Sequence, residues 1–303
     1  MLSSDTEASY IDIVRYCSGK NKRSDREDME YIVQFLSARK LDGLTDGTLD
    51  QYKRELKNLQ PFLNKPTIEA KTNDLRTYFA QFNNIAQASL NRKISSVKAF
   101  YQWLVDEEIL DRNPMRRIKT AKEPMSLPKN LNKEDFDKLR YYPKSPRNQA
   151  IFELLCSSGM RVSEMTALNI RDADLVNRQI KVFGKGSKER IVHFSPIAKF
   201  CISNYLASRK DKKEALFINK YGDRLSIRSI EMQVKAMAIK AGIYEKVTPH
   251  CLRHTFASNL YRNGADIGFI SMELGHSSPT VTMRYARLDN QTRASMHDRF
   301  LGM

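Results

Sequence analysis

The string T-P-H-C-L-R-H-T-F-A-S-N-L-Y-R-N-G-A-D-I fills residues 248–267, and its opening decides how the chain is read. His250, Arg253 and His254 stand at i, i+3 and i+4. On a helix that spacing puts all three on one face. Thr248 is a natural N-cap and Pro249 a natural first helical residue, so the helix is predicted to start there. The face then lies at a helix N-terminus, where the macrodipole and free N–H groups favour an anion. Two imidazoles, one guanidinium and a positive helix end suit a phosphate. Downstream, His276 stands in L-G-H-S-S and Tyr285 in M-R-Y-A-R. A tyrosine in that position suits a nucleophile aimed at the same phosphate.

The charge balance agrees. The 303 residues carry 51 Lys plus Arg against 35 Asp plus Glu, a formal charge of +16. Such an excess implies a polyanionic partner, of which nucleic acid is the commonest. Charge alone does not separate a DNA-handling enzyme from a ribosomal-type binder or a solubilised surface; the motifs do that. The four cysteines, Cys17, Cys156, Cys201 and Cys251, are scattered and form no C-x-x-C pair. That argues for a reducing compartment and against structural zinc or disulfides. No long apolar run or signal peptide opens the chain, so a soluble cytoplasmic protein without a membrane partner is expected.

Outward from the motif, the chain reads as two halves and a hinge. Residues 1–24 form no clear element and read as a tail containing K-N-K-R-S. Residues 25–118 read as short helices. Met29, Ile32, Val33 and Leu36 have helical spacing, as do Leu49, Tyr52, Leu56 and Leu59, with Pro61 expected to end that helix. Leu90, Ile94, Val97, Tyr101 and Leu104 form the clearest stripe, with Arg92, Lys93 and Lys98 away from it. Residues 119–131 are basic and contain two prolines, which suits an extended linker. Residues 132–303 form the second domain. Asn132 is a predicted N-cap, Gly159 a predicted helix stop, and Ser163 a predicted cap for the helix after Arg161. Gln179–Phe183 and Arg190–Phe194 are predicted strands of a hairpin, and helices are expected near Ser226, Thr248, Asp266 and Pro279.

These strings closely resemble the tyrosine recombinase family, also called the phage integrase family, with an Xer-like cast. The match is strong from Ser157 to Tyr285 and pattern-level from Met29 to Ile118. M-R-Y-A-R departs from the I-Y-T-H type string common among Xer members. The resemblance implies a mainly α fold with a small β-sheet. A helical, SAM-like core-binding domain and a mixed α/β catalytic domain would close on DNA as a C-shaped clamp. It implies catalytic roles for Arg161, Lys185, His250, Arg253, His276 and Tyr285, with Glu164 and His254 as supports. It also implies DNA contacts from Thr48, Lys53, Asn91, Arg92, Lys98, Arg116, Arg117, Lys119, Lys188 and Arg228. The expected partners are double-stranded DNA with paired inverted sites and three further copies of the chain in a ring of four, with no cofactor. The last residues, through Ala294, Met296, Phe300 and Leu301, are expected to dock on a neighbouring subunit.

The roles follow physically. Attack on an anionic phosphodiester needs its charge neutralised first. Arg161 and Arg253 offer forked donors to the non-bridging oxygens. Tyr285 would form a 3′-phosphotyrosyl bond as the 5′-hydroxyl leaves, which conserves bond energy without ATP. A phenol with a pKa near ~10 needs a base or strong local positive charge to attack at neutral pH. By resemblance Lys185 protonates the leaving oxygen, with Lys188 as the competing candidate. His250 would assist phosphate stabilisation and proton transfer, and His276 would bond the transition state. His254 is expected to back a carboxylate or a backbone group.

Three other readings compete. His250, His254, Cys251 and His276 could imitate a zinc site, but Arg253 on the same face would repel a dication. A type IB topoisomerase shares the tyrosine chemistry; the small helical domain and L-G-H-S-S favour a recombinase. A non-catalytic DNA-binding relative conflicts with the presence of every catalytic residue.

Overall fold

The computed structural model describes residues 23–122, 130–143, 145–184, 189–276, 279–283 and 285, together with 297 and 301. The chain divides into two compact units, residues 1–125 and 126–303.

The first unit is all helix: α1 (Arg23–Leu41), α2 (Asp46–Leu63), α3 (Thr72–Ala80) and α4 (Gln87–Asp106). The long stripe on α4 does bury Ile94, Val97, Tyr101 and Leu104, and Phe100 and Trp103 join them. Phe35 of α1 meets Phe100 at 5.4 Å and Trp103 at 5.7 Å between ring centroids, so an aromatic cluster forms the centre of this core. The inward face of α1 is therefore Asp28, Met29, Ile32 and Phe35, while Val33 and Leu36 are only half-buried. Asp28 is tolerated inside because the backbone N–H and hydroxyl of Thr67 both donate to its carboxylate, at 2.7–3.0 Å.

Pro61 does not end α2. The helix runs through it to Leu63 and stops at Asn64, whose φ of 50° is left-handed. A proline late in a helix removes one ladder bond, and here the burial of Leu63 carries the chain one turn further.

The second unit has α5 (Lys133–Tyr141), α6 (Pro146–Ser158), α7 (Val162–Ala167), α8 (Pro196–Ser208), α9 (Ile227–Lys240), α10 (Pro249–Arg262), α11 (Ile267–Leu274) and α12 (Pro279–Thr282). Strands β1 (Ala173–Asp174), β2 (Gln179–Phe183) and β3 (Glu189–His193) form an antiparallel sheet in the order β1-β2-β3. Helix α6 is the central element and packs against α8 and α10. Asn132 and Thr248 cap their helices as predicted, and the helices expected near Ser226 and Asp266 start with those residues as their N-caps. Leu131 belongs to this unit rather than to a free linker: it is buried in the core, and its N–H donates to the Thr255 hydroxyl at 2.9 Å.

Ser163 is not a cap. Arg161 is the N-cap of α7, and its backbone N–H donates to the Glu164 carboxylate at 2.8 Å. That carboxylate closes the helix start, which leaves Ser163 inside the helix.

Helix α6 ends at Gly159 with φ +59°, and a Cβ there would lie 2.3 Å from the Phe256 ring. Gly159→Ala combines left-handed strain with a clash and is expected to cost about 2–4 kcal/mol. Urea unfolding of the variant measures it.

Candidate active site

Three helix ends build the site. Thr248 accepts from the Cys251 N–H at 3.2 Å and so starts α10, which presents His250, Arg253 and His254 from its first turns. His250 is exposed, His254 half-buried and Arg253 buried. The C-termini of α6 and α11 bring backbone carbonyls, the negative ends of their dipoles. Arg253 donates to Gly159 O at the end of α6 and to Leu274 O at the end of α11. Arg161 donates to Gly275 O at 3.0 Å. Gly275, like Gly159, is a left-handed helix stop. Two helix ends thus hold the guanidiniums while a third offers its positive end to an anion.

Behind Arg161 sits Glu164, buried, which accepts from Arg161 Nη1 at 2.8 Å and from both terminal nitrogens of Arg190 at 2.8 and 2.9 Å. Burial alone would raise its pKa, but the bonds from Arg190 and Arg161 outweigh it and hold the carboxyl below the usual range. Such a group stabilises the fold fully above its unfolded pKa of ~4.3, and the contribution disappears as pH falls through the lower folded value. Glu164→Gln is therefore expected to lower stability by about 3 kcal/mol at pH 7, with a gap to wild type that narrows in acid. Denaturant unfolding at pH 7 and pH 4 checks both halves.

Arg253 shows what the site lacks. Burial, and then the neighbouring charge of Arg161, pull its pKa down to about 10. It remains cationic at neutral pH, in a place poor in counter-charge. A bound phosphodiester would relieve that cost. Each guanidinium also has N–H groups beyond those given to protein carbonyls and to Glu164.

Arg161, His250, Arg253, His254, His276, Val281 and Tyr285 line one cavity of about 340 Å³. His276 Nδ1 is 2.8 Å from the Thr282 hydroxyl, which orients the ring. Tyr285 is buried, with its hydroxyl 2.6 Å from His254 Nδ1. Of the six catalytic candidates, five meet here. Lys185, like Lys188, lies outside the described residues. His254 Nδ1 meets the phenol of Tyr285, a partner the sequence reading did not name. Among the described residues no three His, Cys, Asp or Glu side chains are grouped to hold a metal ion.

Arg190 is a site residue that sequence reasoning missed. It comes from β3, also donates to Glu273 O at 3.4 Å, and shares Glu164 with Arg161 across 26 residues of chain. Nothing local in K-E-R-I-V marks it out.

The expected DNA-contacting residues divide. Arg92, Lys98, Arg116, Arg117, Lys119 and Arg228 are exposed, while Thr48 and Lys53 are half-buried. Asn91 uses its amide inside the protein: it donates to Ala121 O at 2.8 Å and accepts from the Ala121 N–H at 3.2 Å. Lys93, read as part of the basic face, pairs with Glu55 at 2.8 Å and lies 4.3 Å from the Phe82 ring centre. No described helix is long and apolar enough to cross a membrane.

Comparison with known proteins follows the same lines. The phage integrase family model matches residues 129–292, and the phage integrase N-terminal SAM-like domain matches residues 32–108. A tyrosine recombinase XerD of Oceanobacillus iheyensis is 34% identical over 292 residues, spanning 90% of this chain and 97% of that protein. A tyrosine recombinase XerC of Thermodesulfovibrio yellowstonii is 36% identical over 286 residues, spanning 89% and 95%. The crystal structure of XerA recombinase matches at 31% identity with a TM-score of 0.54, covering 90% of this chain and 98% of that one. XerH bound to its palindromic difH substrate in a post-cleavage complex matches in fold, with a TM-score of 0.72 at 20% identity, covering 94% and 93%. With a family model over residues 129–292 and relatives at 34% and 36% identity along nearly the whole chain, this protein belongs to the phage integrase family and is a tyrosine site-specific recombinase.

Proposed function

We propose that this recombinase works on double-stranded DNA carrying paired inverted sites, and that Tyr285 is its nucleophile. The observation that supports this reading is the convergence of Tyr285, Arg161, Arg253, His250 and His276 on one cavity. The scissile phosphate occupies that cavity with its non-bridging oxygens on the two guanidiniums and on His276. The positive end of α10 adds to their field. The Tyr285 oxygen attacks phosphorus, the P–O5′ bond breaks, and the DNA 3′ end stays linked to the enzyme. Lys185, carried between β2 and β3, protonates the leaving oxygen. Attack by a 5′-hydroxyl from the partner duplex reverses the step and makes a Holliday junction. The exposed cations Arg92, Lys98, Arg116, Arg117 and Lys119, with Arg228, hold the backbone by charge, which makes affinity salt-dependent. Resolution of chromosome or plasmid dimers and integration or excision of a mobile element both use this chemistry.

The assembly in this reading is a ring of four on two duplexes, in which each protomer gives its C-terminal segment to a neighbour. A head-to-tail interface closes into such a ring. The expected apolar face of that segment, at Ala294, Met296 and Phe300, lies outside the described residues; a segment too short to be stable as a helix alone would need a groove to cover it. Deleting the residues after Asp289 is expected to spare binding to a half-site but block pairing of two sites and strand exchange. Gel-shift and two-site plasmid assays test it; a truncated protein that recombines at the normal rate overturns the ring.

A further inference from the structure

The proton of the attacking phenol has no acceptor in the scheme above, and the geometry around Tyr285 supplies one. Its hydroxyl lies 2.6 Å from Nδ1 of His254. The two rings stand 5.8 Å apart between centroids and are tilted by 52°, so the contact is edge-on through the bond rather than stacked. His254 is one residue past Arg253, on the helix that opens onto the cavity. His250, the other imidazole of that helix, is exposed at its first turn.

We infer that His254, not His250, takes the proton of Tyr285 during DNA cleavage and gives it back during rejoining. The inference rests on the recombinase reading of the site. As the phenolic oxygen bonds to phosphorus, its proton passes to His254 Nδ1 and the P–O5′ bond breaks. The departing 5′-oxygen takes a separate proton from the donor proposed above. On return, a 5′-hydroxyl attacks phosphorus, the P–O bond to tyrosine breaks, and the imidazolium of His254 protonates the released phenolate. Nδ1 accepts only when the ring hydrogen sits on Nε2, which is the tautomer this role requires.

The surroundings suit that role. Arg161, Arg253, His250 and His276 line the same cavity, with Arg190 and the carboxylate of Glu164 behind Arg161.

The test uses the full chain and single-turnover cleavage of a nicked duplex, followed from about pH 5.5 to 8.5, across the imidazole range. His254→Asn keeps an oxygen close to the place of Nδ1 but cannot take a proton. Wild-type cleavage is expected to rise through the imidazole range and level off. The Asn variant is expected to be slower by about 10²–10³ near neutrality. Its rate should climb with pH without a plateau, as an unassisted phenol requires. Half-site affinity and melting temperature should match wild type, a readout that separates chemistry from folding. His254→Gln is the companion variant with the same expected profile, should Asn impair the fold. A variant with the wild-type rate and profile overturns the assignment. A variant faster than wild type overturns it as well, since the bond would then be a brake on Tyr285. Wild-type protein that forms no covalent adduct at all defeats the recombinase site itself, a result distinct from either.

Discussion

Tyr285→Phe is expected to abolish covalent attachment to DNA while leaving DNA affinity unchanged. The substitution removes one oxygen, and that oxygen is the proposed nucleophile. Its ring stays in the small cluster with Ala257, Ile270 and Leu274, so the packing around it survives. The lost bond to His254 costs about 0.5–1.5 kcal/mol of stability, a typical net value for one hydrogen bond. The cations proposed to hold the DNA backbone, among them Arg92, Lys98 and Arg228, do not involve the phenol. A gel-shift titration alongside denaturing electrophoresis of the reaction separates the two effects. Any adduct formed by the Phe variant assigns the chemistry to another residue.

The arginines come next in size. Arg161→Lys and Arg253→Lys are each expected to slow cleavage by at least ~10², the loss typical for one preorganised donor to a developing anion. Arg161 divides its guanidinium between Glu164, Gly275 O and the cavity, and an ammonium has no fork with which to do so. Arg253 bridges Gly159 O and Leu274 O, the ends of two helices that are distant in sequence. A lysine there leaves at least one buried carbonyl unpaired, so the second variant should also lose stability. Single-turnover rates and melting temperatures for both variants are the measurements. Rates near wild type would confine the two arginines to a role in the fold.

What was legible in the chain was local. Caps at Asn132 and Thr248, and helix starts near Ser226 and Asp266, were readable because a cap and its target N–H are two or three residues apart. The face shared by His250, Arg253 and His254 was readable for the same reason. What was hidden depends on tertiary closure. Arg190 meets Glu164 only because β3 passes behind α7, and Asp28 is acceptable inside α1 only because Thr67 arrives 39 residues later. His254 looked like a structural neighbour until the fold brought Tyr285, 31 residues away, onto its ring. Periodicity picked out Met29, Ile32 and Leu36 of α1, which do face the core, but passed over Phe35, which meets the aromatic cluster. Pro61 failed as a stop because burial of Leu63 outweighs one missing ladder bond.

The central claim is a covalent bond between Tyr285 and the 3′ end of cut DNA, made without a metal ion. The most direct measurement incubates wild-type protein with a nicked duplex in excess EDTA, digests the trapped product and locates the nucleotide-bearing peptide by mass spectrometry. The account predicts a 3′-phosphotyrosyl link on Tyr285 in undiminished yield. A link on another residue, or cleavage that stops when divalent ions are removed, would contradict it.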